Sequence, residues 1–102
     1  MSTANIPIAC SLSSAELQQR RSEVLLKIKS AVQQVQELDN GYAYRFHSTP
    51  ERLDELTNLI SLEHACCPFL RFCLTVEPAD GGISLELTGP RGTKEFLATL
   101  FA

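Results

Sequence analysis

Leu17, Val24, Leu25, Ile28, Ala31 and Val32 recur at helical spacing, with Gln18, Gln19, Arg20, Glu23, Lys27 and Lys29 between them. That period predicts an amphipathic helix running to about Ser30. Ser13-Ser14-Ala15-Glu16 has the form of a capping box, so the helix is expected to start on Ser13. A second helical stretch carries Leu53, Leu56, Leu59 and Ile60 on one face. Thr49 is placed to cap it, and Pro50 takes the first helical position, where its missing amide costs nothing. Pro68 disfavours helical geometry at the residue before it, so this helix should end at or just before Cys67.

Elsewhere the period shortens to two. Leu70, Phe72, Leu74 and Val76 alternate with Arg71, Cys73, Thr75 and Glu77, and Ile83, Leu85 and Leu87 repeat the pattern after a turn at Asp80-Gly81-Gly82. Asn40-Gly41 is a strong hairpin signal because both turn positions favour positive φ. Its register opposes Val35 to Phe46 and Glu37 to Tyr44, with Tyr42, Tyr44 and Phe46 on one face, more simply core than a binding ladder. Gly89-Pro90-Arg91-Gly92 breaks the chain before a closing helix marked by Phe96, Leu97, Leu100 and Phe101. The order predicts an α+β single domain, helix-hairpin-helix-hairpin-helix, with a four-stranded antiparallel sheet covered by helices on one face. Residues 1–12 are expected to form an extended arm and 13–102 the domain.

Composition narrows the function classes. With 44% apolar and 21% charged residues over 102 positions, the chain has the make-up of a soluble globular domain that needs neither disulfide nor metal to fold. Its net charge is -3, with no basic cluster beyond Arg20-Arg21, so nucleic acid is not an expected partner. The first residues show no basic segment followed by a long apolar run, so neither a membrane nor secretion is expected and the compartment reads as cytoplasmic. There, four cysteines point to metal, redox chemistry or packing rather than to structural disulfides.

The chemistry concentrates in Glu63-His64-Ala65-Cys66-Cys67, four potential metal ligands within five residues at a helix end. At about 100° per residue, Cys67 falls on the apolar face, Glu63 and His64 flank it, and Cys66 points aside near Leu59. A carboxylate on a core-facing stripe needs a cation, a donor or an opening to solvent. A purely structural Glu63 would pair with Arg21 or Arg45. Adjacent cysteines do not readily bond each other, because the ring distorts the peptide. Two thiolates leave a soft-ion site short of ligands, and Cys10 is the first candidate to complete it. Cys73 is weaker, since alternation turns it away from Phe72 and Leu74. His64 reads more simply as a helix-end hydrogen-bonding group. The helix C-terminus and Glu63 should both raise a thiol pKa here, which disfavours a nucleophile and favours a receptor for a cation.

Other motifs carry less. Gly89-Pro90-Arg91-Gly92-Thr93-Lys94 lacks the Walker spacing and reads as a strand-to-helix turn. His47-Ser48 has no third member for a hydrolytic triad. The spacing of Cys66, Cys67 and Cys73 fits no zinc-finger or iron-sulfur pattern.

Leu62-Glu63-x-x-Cys66-Cys67-Pro68-Phe69-Leu70-Arg71-Phe72, then Val76-Glu77-Pro78 and Leu87-Thr88-Gly89-Pro90-x-Gly92-x-Lys94-Glu95-Phe96-Leu97, resembles a group of short bacterial proteins of unknown function. The likeness covers most of the chain, including Ala9-Cys10, Leu12, Glu16 and Arg21. It implies that Cys10, Glu63, Cys66 and Cys67 belong to one site and that Cys73 and His64 are variable, and it implies no reaction. The sequence reading is therefore a small ion-binding protein that holds a thiophilic metal or metalloid through Cys10, Cys66 and Cys67, with Glu63 as oxygen ligand or outer acceptor. Zinc, copper(I), mercury(II) and arsenite suit three thiolates about equally on softness. The alternatives are a cysteine-dependent enzyme acting on a soft electrophile and a plain homodimeric interaction module.

Overall fold

A computed structural model of the chain describes residues 14–101. The expected arm over residues 1–12, with Cys10 in it, and the expected cap Ser13 lie outside the described residues. Helix α1 spans Ala15–Ala31 and is capped by Ser14, whose hydroxyl accepts the Leu17 amide at 3.4 Å. The cap thus stands one residue later than the capping box predicts, on the second of two adjacent serines. Strands β1 (Gln34–Leu38) and β2 (Gly41–Phe46) follow, then α2 (Pro50–Cys66), β3 (Arg71–Val76), β4 (Ile83–Thr88) and α3 (Thr93–Leu100). Among the described residues no helix is long and apolar enough to cross a membrane.

The architecture is α+β: three helices and one antiparallel four-stranded sheet in the order β1-β2-β4-β3. Alternation sorts its side chains. On β4, Ile83, Leu85 and Leu87 are buried, whereas Ser84, Glu86 and Thr88 are only half-buried. These leucines and the isoleucine share a core with Tyr44 and Phe46 of β2, Ile28 of α1, Leu56 and Leu59 of α2 and Leu97 of α3. Tyr44 also stacks on Phe101 at 4.4 Å between ring centres, which makes it part of the interior.

The first hairpin corrects the predicted register. Val35 lies opposite Tyr44 and Glu37 opposite Tyr42, so the two-residue turn is Asp39-Asn40 and Gly41 already belongs to β2. The shift is two residues, which leaves every side chain on its predicted face. Gly41 is not there for positive φ, which among the described glycines occurs at Gly82 and Gly92. It is there because a Cβ at this position would sit 1.8 Å from the Leu87 carbonyl oxygen on β4. Gly41→Ala is therefore expected to force β2 and β4 apart and lower stability by about 1 to 3 kcal/mol, the usual cost of overpacking a tight contact. Chemical denaturation checks this, and an unchanged midpoint would contradict it.

Helix α2 ends as Pro68 dictates. Thr49 accepts the Arg52 amide at 3.0 Å at its start, and Cys67 caps its end with its amide donating to the Glu63 carbonyl at 2.6 Å. The Cys67 carbonyl then accepts the Leu70 amide at 3.1 Å, a tight turn that drops Phe69 into the core edge-on to Phe96. At the other strand-to-helix connection, Gly92 takes φ 99° and caps α3, a left-handed geometry that suits glycine.

Candidate functional site

The end of α2 packs beside the first turns of α1, and this juxtaposition builds the site. Glu63 is 2% exposed, and Cys66 and Cys67 are fully buried. The unexpected carboxylate on the core face therefore stays buried, and it has a partner. Arg21 of α1 grips it as a fork: Nε donates to Oε2, and Nη2 donates to Oε1 at 3.1 Å. Of the two arginines left open by the sequence, Arg45 is engaged elsewhere, donating to the Gly81 carbonyl at 3.2 Å. Paired burial in this bidentate form is how a charged side chain survives away from water.

Cys67 completes the cluster. Its thiol lies 3.7 Å from Glu63 Oε1, donating to the oxygen that Arg21 Nη2 also contacts. Burial first, and the charge of Glu63 second, push the Cys67 thiol up to about 12, against a smaller opposing pull from Arg21. The sequence argument from the helix end and Glu63 named the same direction, although burial is the larger cause. The Arg21 guanidinium is itself held above its ordinary value: burial works to lower it, and the hydrogen bond and charge of Glu63, with a further contribution from Cys67, outweigh that. The arrangement is a buried network of thiol, carboxylate and guanidinium in which the proton stays on sulfur.

Cys66 is disulfide-bonded, and its partner is neither Cys67 nor Cys73, both of which are free thiols. The two neighbouring cysteines are thus not joined to each other, as ring strain requires. The disulfide departs from the expectation of reduced thiols. His64 is exposed and turned toward Phe72, with ring centres 6.3 Å apart and edge-on, so it is not among the groups around Cys67. Cys73 is exposed on β3, on the opposite face from Phe72 and Leu74. Cys10 lies outside the described residues. Among the described residues, no group of three or more His, Cys, Asp or Glu side chains stands close enough to hold a metal ion.

The fold and site together define a small α+β protein with a buried thiol-carboxylate-guanidinium cluster beside a disulfide. No family model, no curated protein and no solved structure matches the chain.

Proposed function

We propose that the protein, in its reduced form, binds a thiophilic metal or metalloid ion through Cys66 and Cys67 at the end of α2. Cys10 supplies a third thiolate, and Glu63 acts as an outer hydrogen-bond acceptor. The observation that carries this reading is the enclosed Cys67 thiol set against a carboxylate that Arg21 holds in place. Burial first, and the charge of Glu63 second, keep the proton on sulfur. The Glu63 part of that effect also favours a soft cation there, and such a cation deprotonates its thiols on binding. Both Glu63 oxygens are engaged by Arg21, which suits orienting a ligand better than coordinating the ion.

With Cys66 in its disulfide the site is closed to an ion. Two electrons and two protons from a dithiol reductant, itself converted to a disulfide, open it by restoring both thiols. A reducing cytoplasm would hold the protein in the open form. Sequestration, delivery or detoxification of zinc, copper(I), mercury(II) or arsenite then follows from the ligand set. The competing reading is a redox or nucleophilic cysteine, favoured by a disulfide adjoining a free thiol. The raised Cys67 pKa weighs against it, since an attacking thiol works best with a pKa near ambient pH. On the fold, we read the chain as helix-hairpin-helix-hairpin-helix with the helices over the face that bears Ile83, Leu85 and Leu87.

Native mass spectrometry of reduced protein purified without chelator tests the reading. One ion per chain is expected in the wild type and in Cys73→Ser, with strong loss in Cys66→Ser and Cys67→Ser. Glu63→Gln should weaken binding by about 10 to 100-fold, the usual effect of losing an outer-sphere partner, in addition to the stability lost with the Arg21 pair. A destabilised protein with unchanged affinity would leave Glu63 a structural carboxylate only. Equal losses for all three cysteine variants would contradict the assignment.

A further inference from the structure

Strand β3 stands at one end of the sheet, so β4 occupies one of its hydrogen-bonding edges, and among the described residues no strand pairs with the other. An open edge is a template for another strand, and natural proteins blunt it with proline, lysine or a bulge. The run Arg71-Phe-Cys-Leu-Thr-Val76 contains no proline, glycine or lysine. Its pairing with β4 fixes its faces: Phe72, Leu74 and Val76 lie opposite Leu87, Leu85 and Ile83, and Arg71, Cys73 and Thr75 point the other way. Ile83 is fully buried, yet its neighbour Val76 is 50% exposed, so the apolar stripe stops short at the free edge.

We propose that β3 pairs antiparallel with β3 of a second copy of this chain, about a two-fold axis at Leu74. Continuity of the apolar face requires even residues to oppose even ones. With Leu74 opposite the partner's Leu74, Phe72 meets the partner's Val76, Cys73 meets the partner's Thr75, and Arg71 meets the partner's Glu77. Both charges are thereby matched, and the exposed valine gains a cover. Shifting the register to centre on Cys73 leaves Glu77 without its arginine, and centring on Thr75 brings Pro78 into the ladder opposite Phe72, where it cannot donate. The other edge is poorer. Centring β1 on Gln36 would set Glu37 against the partner's Val35, and Glu37 is already engaged by Lys94. Among the registers that continue the apolar stripe, the one centred on Leu74 is the one that matches Arg71 with the partner's Glu77, and that charge match commits the edge to a second copy of the chain.

Sedimentation equilibrium of the full chain, up to about 0.5 mM because an edge-only interface is small, tests the proposal. The wild type should show a monomer-dimer equilibrium. Arg71→Glu and Glu77→Arg should each weaken it by about 10-fold through two like-charge pairs, and the double variant should return to within about 3-fold of wild type. Circular dichroism melts establish that each variant is folded. In parallel, Thr75→Cys should form a covalent dimer under mild oxidation through Cys73 of the other copy, and adding Cys73→Ser should abolish it. A wild type that stays monomeric with no covalent dimer overturns the proposal, as does a dimer indifferent to both charge reversals, whose interface would lie elsewhere.

Discussion

Glu63→Gln is expected to destabilise the protein by about 3 kcal/mol, because the Arg21 guanidinium is left partly buried without its counter-charge. Arg21 is 13% exposed and Glu63 2%, so solvent can do little to screen the loss. In a domain of this size the midpoint of thermal unfolding should fall by about 4 to 8 °C for each kcal/mol. Arg21→Met should cost at least as much, since it strands a carboxylate against the Cys67 thiol. Replacing both together, Arg21→Met with Glu63→Leu, should recover most of the stability, because two apolar side chains of similar volume need no counter-charge. Thermal melts of the three variants check the set. A double variant as unstable as either single one would mean that the residues act separately and that the cluster is not a unit.

Cys67 should resist alkylation at neutral pH. With its pKa pushed up to about 12, its thiolate fraction at pH 8 is about 1,000-fold below that of an ordinary exposed cysteine. The rate should then climb about tenfold per pH unit up to pH 11 as the thiolate fraction grows. Cys73, exposed on β3, serves as the reference within the same molecule. Iodoacetamide labelling mapped by mass spectrometry reads both sites at once. Labelling of Cys67 as fast as Cys73 at pH 7 would replace the ion-binding reading with that of an activated nucleophile.

Much of the frame was legible because local rules decide it. The helical spacing of Leu53, Leu56 and Leu59 and the stop imposed by Pro68 set α2, and the alternation around Phe72 and Leu85 set β3 and β4. The first hairpin differs from its predicted turn because Gly41 has two possible uses. The sequence advertises positive φ, while the fold needs room for the Leu87 carbonyl, which comes from β4 and leaves no trace in the local pattern. The cap failed more mildly: adjacent serines offer equal hydroxyls, and Ser14 is the one that reaches Leu17.

The site divides in the same way. That Glu63 faces inward follows from its spacing with Leu56 and Leu59, and that it needs a partner follows from the energetics of burial. Which arginine answers does not follow, since Arg21 reaches it only once α1 packs on α2, 42 positions away in sequence. The disulfide at Cys66 ran against an argument from compartment, which speaks to where thiols persist and not to which ones meet.

The central claim is tested most directly by titrating the fully reduced protein with cadmium(II) and following the thiolate-to-metal absorption band. A saturable band at one ion per chain is expected, unchanged in Cys73→Ser and lost in Cys67→Ser, with oxidised protein showing no such band until its disulfide is reduced by a phosphine, which supplies no thiolate of its own. A band that persists in Cys67→Ser, or that vanishes with Cys73 instead, would contradict an ion site at the end of α2.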